Sequence, residues 1–125
     1  MRPSRAALEA ALGEFGACWE WDGFFGIPAA DGQAEYVAVL DSEETLSSDD
    51  GALAMERHSV TLELYDSGGP ACRARRRELS RILRAANIQH TRASPTHIPS
   101  QRKNMTAYYL DSWLEAPEEK GTADG

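Results

Sequence analysis

The clearest pattern in the chain is a two-residue alternation from Met55 to Asp66. His58, Val60, Leu62 and Leu64 fall on one face, and Ser59, Thr61, Glu63 and Tyr65 on the other. That period predicts a strand with one face buried. The pattern then changes. Ser67-Gly68-Gly69 is a turn, and Pro70, whose fixed φ suits a first helical turn, opens a helix running to about Ala86. Its apolar stripe is Cys72, Leu79, Ile82, Leu83 and Ala86, while Arg73, Arg77, Arg81 and Arg84 recur on another face at helical spacing.

The flanking segments are read in the same way. Pro3 to Leu12 predicts a helix ended by Gly13 and Gly16, with Leu8, Leu12 and Phe15 as its apolar stripe. Ala17 to Asp22 and Glu35 to Leu40 predict short strands. From Asp41 onward the chain becomes acidic and aperiodic, so residues 41–54 are expected to be a mobile loop. After Asn87, a helix stop, Ile88 to Arg92 predicts an edge strand and Asn104 to Leu114 a final strand. Residues 117–125 predict a disordered tail, leaving one domain over residues 1–116. The expected architecture is α+β: a mostly antiparallel central sheet of four to five strands with two helices packed on one face.

Composition narrows the class. The chain has 125 residues, 42% hydrophobic and 26% charged, ordinary material for one globular domain. No apolar run reaches the roughly 18–20 residues of a membrane span. No apolar segment of the signal-peptide kind follows Met1-Arg2-Pro3, and two cysteines make neither a disulfide framework nor a paired zinc motif. A reducing, cytoplasmic setting is therefore expected.

Charge alters the picture most. The net charge of -7 suggests a plain acidic protein, yet Ala6 to Glu56 holds twelve acids and no Lys or Arg. Pro70 to Lys103 holds nine basic residues and a single acid, Glu78.

Catalytic constellations are weak by comparison. Asp66-Ser67-Gly68-Gly69-Pro70 copies the nucleophile signature of serine peptidases, but His58 is the nearest upstream histidine and sits on the adjoining strand. A Gly-Gly turn before a helix explains the string without chemistry. His58, His90 and His97 are spaced by 32 and 7 residues, match no compact ligand motif and have few carboxylates near them in sequence, so no metal site is expected. Glu20 and Asp22 alternate with Trp19 and Trp21 as a solvated face would. Neither catalytic nor cofactor-binding residues are assigned.

The arginine helix is the sharpest signal, with six arginines between Arg73 and Arg84. Left as a bare solvated face they would repel one another. Phosphates are one complement, but the helix lacks interleaved aromatics and a partner helix at helix-turn-helix spacing. The chain's own acidic segment is another. In a head-to-tail ring, the basic face of one subunit meets the acidic surface of the next. The candidate interface residues are Arg73, Arg77, Arg81 and Arg84 on one side, and Glu43, Glu44, Asp49 and Asp50 on the other.

The order and spacing of blocks from about Leu8 to Glu115 resemble the small tail terminator (tail completion) proteins of lambda-like, long-tailed bacteriophages. Glu35 to Asp41 resembles that family's second strand, and Arg57 to Tyr65, with Glu63-Leu64-Tyr65, its most recognisable one. Ala86 to His90, Ile98 to Gln101 and Met105 to Tyr109 come next in the family's order. There are two departures: Glu35 occupies a position where proline is usual, and Gln101-Arg102-Lys103 replaces a stretch where an acid is common. The resemblance implies a virion structural protein without catalysis, assembled as a hexameric ring in the neck of the tail. Such a ring caps the tail tube, ends its polymerisation and offers the surface on which the head joins. Implied partners are other copies of the chain, the tail tube protein and a head-tail connector or stopper protein, with DNA passing through the lumen. The implied setting is the virion, and the host cytoplasm during assembly. Alternatives are another neck component, such as a head-completion or connector protein, or a small nucleic-acid-binding module using the arginine helix.

Overall fold

The computed structural model of the protein describes residues 3–22, 34–47 and 54–116. A long hairpin forms its axis. Strand β2 (Tyr36–Ser47) runs antiparallel to β3 (Ala54–Asp66), in one unbroken register from Tyr36 opposite Tyr65 to Ser47 opposite Ala54. Strand β1 (Cys18–Trp21) adds to β2 in parallel. On the other side of β3 lie β6 (Lys103–Leu110) and β7 (Trp113–Glu115), and β6 in turn carries β4 (His90–Arg92) and β5 (Thr96–Ile98). The described sheet has seven strands in five ranks, ordered β1-β2-β3-β6-β4. The sheet is mixed, because β1 pairs with β2 in parallel while its other pairings are antiparallel.

The alternation in β3 sorts residues as its sequence dictates. Val60, Leu62 and Leu64 are buried, and the register sets Leu62 beside Val39 and Tyr108 on the same face. Two helices cover that face. α1 (Arg5–Phe15) starts where the Ser4 hydroxyl accepts the Ala7 N–H and stops at Gly16, whose φ of 89° suits glycine. α2 (Pro70–Ala85) ends in a Schellman turn: Ile88 N–H reaches the Leu83 carbonyl, Asn87 N–H reaches that of Arg84, and Asn87 takes the left-handed conformation. Leu8, Leu12 and Phe15 of α1 and Leu79, Ile82 and Leu83 of α2 complete one core with Val37, Val39 and the β3 row. A smaller cluster, Tyr36, Ala38 and Tyr65, occupies the opposite face, its two tyrosine rings stacked at 4.7 Å.

Several expectations need correction. Residues 41–47 and 54 are strand, not mobile loop; main-chain bonds to β3 hold this acidic stretch, and a ladder needs no apolar side chain. Residues 48–53 lie outside the described residues, as does the expected tail at 117–125. The first helix continues through Gly13, which is exposed, and stops only at Gly16. Strand β5 has no counterpart among the predicted elements.

The final strand is split. Leu110, Asp111 and Ser112 stand opposite only Ser59 and Val60, since Tyr109 pairs with Thr61 and Trp113 with His58. This one-residue bulge reverses the facing of the residues after it. Trp113, whose odd number would put it with Tyr109 on the outer face, is buried against His58 instead, with ring centroids 5.6 Å apart. Ala93, Ser94 and Pro95 likewise stand against Ala107 and Thr106, which separates β4 from β5.

One buried ion pair ties the ranks to α2. Asp66, the last residue of β3, is fully buried. Its two oxygens accept Arg76 Nε and Nη2 at 2.9 and 2.8 Å, and Oδ1 also accepts the Gly68 N–H. The Arg76 carbonyl then accepts the Tyr108 hydroxyl at 2.8 Å and Arg92 Nη1 at 3.2 Å. Removing one member of a buried pair strands the other charge. Asp66→Ala is expected to cost about 3–5 kcal/mol in urea unfolding, and Asp66→Leu with Arg76→Met to recover most of that loss. Gly13→Ala, where a Cβ meets nothing within 4 Å, is expected to add about 0.5–1 kcal/mol in the same assay.

Candidate functional site

Of the six arginines of α2, two are structural. Arg76 is committed to Asp66, and Arg75 binds Glu35 through Nε and Nη2 at 3.1 and 2.9 Å, donates to the Phe15 carbonyl and lies over the Phe15 ring. Arg81 makes a loose contact with Glu78 at 3.7 Å and stays 63% exposed. Arg73, Arg77 and Arg84 are exposed and have no ion-pair partner among the described residues. The four arginines of the candidate row, Arg73, Arg77, Arg81 and Arg84, are the exposed ones, and the two that lie outside it, Arg75 and Arg76, are the half-buried ones.

The fold adds what the helix alone could not show. Strand β4 lies beside α2, and Arg92 reaches back to it, donating to the Arg76 carbonyl and to the Ser80 hydroxyl. Two adjoining depressions result. One, of about 400 Å³, is lined by Arg77, Ser80, Arg84, His90 and Arg92. The other, of about 220 Å³, includes Arg73, Arg77, Arg92 and Thr106, whose buried hydroxyl has no hydrogen-bond partner. Among the described residues no carboxylate lines either one. His90 senses this field: burial lowers its affinity for a proton, and the cations of Arg84 and Arg92 lower it further against the Ile88 carbonyl. Arg92, Ser80 and His90 are absent from the sequence-based site. Arg92 contributes to the charge count along the chain, but nothing local ties it to the helix.

The acidic candidates do not form a single patch. Glu43 and Glu44 are adjacent in β2 and so point to opposite faces. Glu44 is held by Arg57 at 2.9 Å on the exposed outer face. Glu43 shares the helix-side face with Asp41, Glu56 and His58. Asp49 and Asp50 lie outside the described residues. Glu43 sits seven residues along β2 from Tyr36, the end nearest the start of α2, which is roughly 25 Å at strand rise. The acidic and basic surfaces thus occupy separate parts of the molecule.

No protein-family model and no curated protein matches this chain.

The remaining motifs resolve simply. Ser67 is exposed at the turn, nine residues along an extended strand from His58, roughly 25–30 Å away. Among the described residues no triad assembles around it. Glu20 is exposed and Trp19 and Trp21 pack on the core, as their alternation implies. His97 contacts Asn104 in the exposed β5–β6 pair. The expectation of few carboxylates near the histidines fails for His58. It is buried, with Nδ1 2.8 Å from Asp41 Oδ2 and Nε2 3.3 Å from Glu56 Oε1. Asp41 and His58, distant in sequence, meet here because the hairpin folds back on itself. Burial opposes the protonation of His58, but the Asp41 hydrogen bond and the charges of Asp41, Glu115 and Glu43 outweigh burial and raise its pKa.

The two histidines should therefore move in opposite directions. By NMR titration, His58 is expected to hold its proton above pH 6.5 and His90 to lose it below that value. Asp41→Asn should lower the first and leave the second, and Arg84→Gln should raise the second. The raised His58 pKa contributes stability that is complete below pH 6.5 and is lost as pH rises through the folded value. The lowered His90 pKa destabilises the fold as pH falls below 6.5.

Proposed function

We propose that this protein is a ring-forming structural protein of the virion, of the tail-terminator kind, which caps the tail tube and presents the surface for head joining. The observation that carries the reading is the basic face of α2 and β4, where Arg73, Arg77 and Arg84 have no ion-pair partner among the described residues, on a domain whose acidic cluster of Asp41, Glu43 and Glu56 lies elsewhere. A charged face of this sort calls for a complement, and a second copy brings one in the acidic arm of its β2–β3 hairpin. Two different patches in contact make a head-to-tail interface, which closes into a ring when the rotation per subunit divides a full turn. The resemblance in block order to tail terminator proteins supplies the biological setting.

A second reading uses the same face. Arg77, Arg84 and Arg92 around the Ser80 hydroxyl offer donors suited to a phosphate oxygen. In a ring, residues left outside the subunit contact would line the path of the DNA.

Light scattering after size exclusion separates the readings. Rings are expected at low ionic strength and smaller species near 1 M salt, where screening acts over about 3 Å. Arg77→Glu with Arg81→Glu should leave a folded monomer that no longer assembles, and mixing it with a Glu43→Arg, Glu44→Arg variant should restore association. Rings that form normally with both arginines reversed would sink the interface. DNA binding in a filter assay, steeply weakened by salt and lost in the same variant, would favour the second reading.

A further inference from the structure

Among the described residues, a cluster of titratable side chains lies away from the arginine face, where α1, the acidic arm and β7 meet. Asp41 and Glu43 on β2 and His58 on β3 bring one potential ligand atom each to within 4.8 Å of one another. The bulge before β7 then stacks Trp113 on His58, which fixes the imidazole plane. The Asp41 and His58 side chains are almost wholly buried, with 5% and 4% exposure. Asp41 Oδ2 meets His58 Nδ1, but Asp41 Oδ1 is buried with no hydrogen-bond partner. An ionised oxygen in that position costs several kcal/mol unless a charge or donor reaches it.

The surroundings sharpen the deficit. A pocket of about 310 Å³ opens beside His58 and is lined by Arg5, Glu9, Glu43, Glu56 and Glu115. Two of these carboxylates are occupied. Glu9 accepts Arg5 Nε and the Trp21 indole N–H, and Glu115 accepts the Arg5 backbone N–H and the Trp113 indole N–H. Asp41, Glu43 and Glu56 face the His58 imidazole, and the pocket they border also holds Arg5, which Glu9 shares. Even with His58 protonated, five carboxylates, Glu9, Asp41, Glu43, Glu56 and Glu115, gather around two cations.

We propose that this cluster is a binding site for a divalent transition cation, with Asp41, Glu43 and His58 as its protein ligands. One imidazole nitrogen with two carboxylate oxygens is the donor set of Zn²⁺ or Mn²⁺; Mg²⁺ and Ca²⁺ favour oxygen alone. The orphaned Asp41 oxygen gains a cation, and the half-open pocket beside Glu43 leaves room for water in the remaining positions. Binding requires a neutral imidazole, so the proton on the ligating nitrogen goes to solvent as the metal arrives, and affinity falls as pH is lowered. Glu56 then becomes an acceptor for the other ring N–H, the usual outer partner of a metal-bound histidine. The site does not rest on ring assembly and is testable on the monomer.

Isothermal titration of the full chain with ZnCl₂ at neutral pH, repeated with MnCl₂ and MgCl₂, tests it. One saturable Zn²⁺ or Mn²⁺ site is expected, with Mg²⁺ much weaker. Glu43→Gln, at the exposed rim, should weaken binding about tenfold or more while circular dichroism is unchanged. Asp41→Asn should do the same. Mn²⁺ should broaden the His58 ring resonances before those of His90 or His97. Absence of saturable Zn²⁺ or Mn²⁺ binding up to about 1 mM overturns the proposal. So does unaltered affinity in folded Glu43→Gln, or broadening that begins at His97.

Discussion

The Asp66–Arg76 ion pair is the constraint on which the rest of the arrangement depends. Asp66 ends the central strand under complete burial, where a carboxylate is tolerable only if its oxygens are bonded. Arg76 supplies that bonding from the second turn of α2, and the Gly68 N–H supplies the rest. The pair fixes where α2 starts, how it is rotated and how closely it sits over β6, because the same residue's carbonyl accepts Tyr108 and Arg92. Buried pairs of this kind add little net stability compared with an apolar replacement. What this one sets is register: with Arg76 turned inward, Arg73, Arg77 and Arg84 must turn outward.

That rotation converts a sequence-level charge excess into a surface. Arg75 and Arg76 are absorbed by Glu35, Glu78 and Asp66, so the local excess is smaller than a count along the chain implies. Arg92 offsets part of that loss by approaching from β4. The acidic half is partitioned too. Glu35 leaves it to hold Arg75, Glu44 is turned to the outer face against Arg57, and Asp41, Glu43 and Glu56 gather around His58. One twelve-residue ladder carries the acidic cluster around His58 away from the strand end nearest the start of α2. Among the described residues no catalytic group gathers around Ser67 or Glu20.

The acidic stretch after Leu40 shows where sequence patterns mislead. Asp41 to Ser47 lacks apolar alternation, and strand propensity reads mostly side-chain packing. Its pairing comes from main-chain bonds to a strong neighbour, β3, which local composition does not register. The bulge at Leu110–Ser112 is a second case. Counting by twos carries Tyr108 and Leu110 correctly inward and then fails at Trp113, because a single extra residue reverses the parity. The alternation of β3 puts His58 on the inner face, but its carboxylate neighbours come from β2 across the hairpin and from β7 beyond the bulge.

The α+β class, the two helices with their apolar stripes, the buried face of β3, the helix stop at Asn87 and the outward row of arginines are legible in the amino-acid order alone. All of these come from spacing within one element, where the periods of helix and strand place side chains directly. Only the tertiary structure decided which charges remain free, that Arg92 joins the arginine row, that the acidic segment is a strand, and that Asp41, Glu43 and His58 converge with one carboxylate oxygen unsatisfied. Those outcomes depend on contacts between residues far apart in the chain and on one-residue shifts of register. Neither leaves a local mark, because a side chain's period reports its own element and not what that element is packed against.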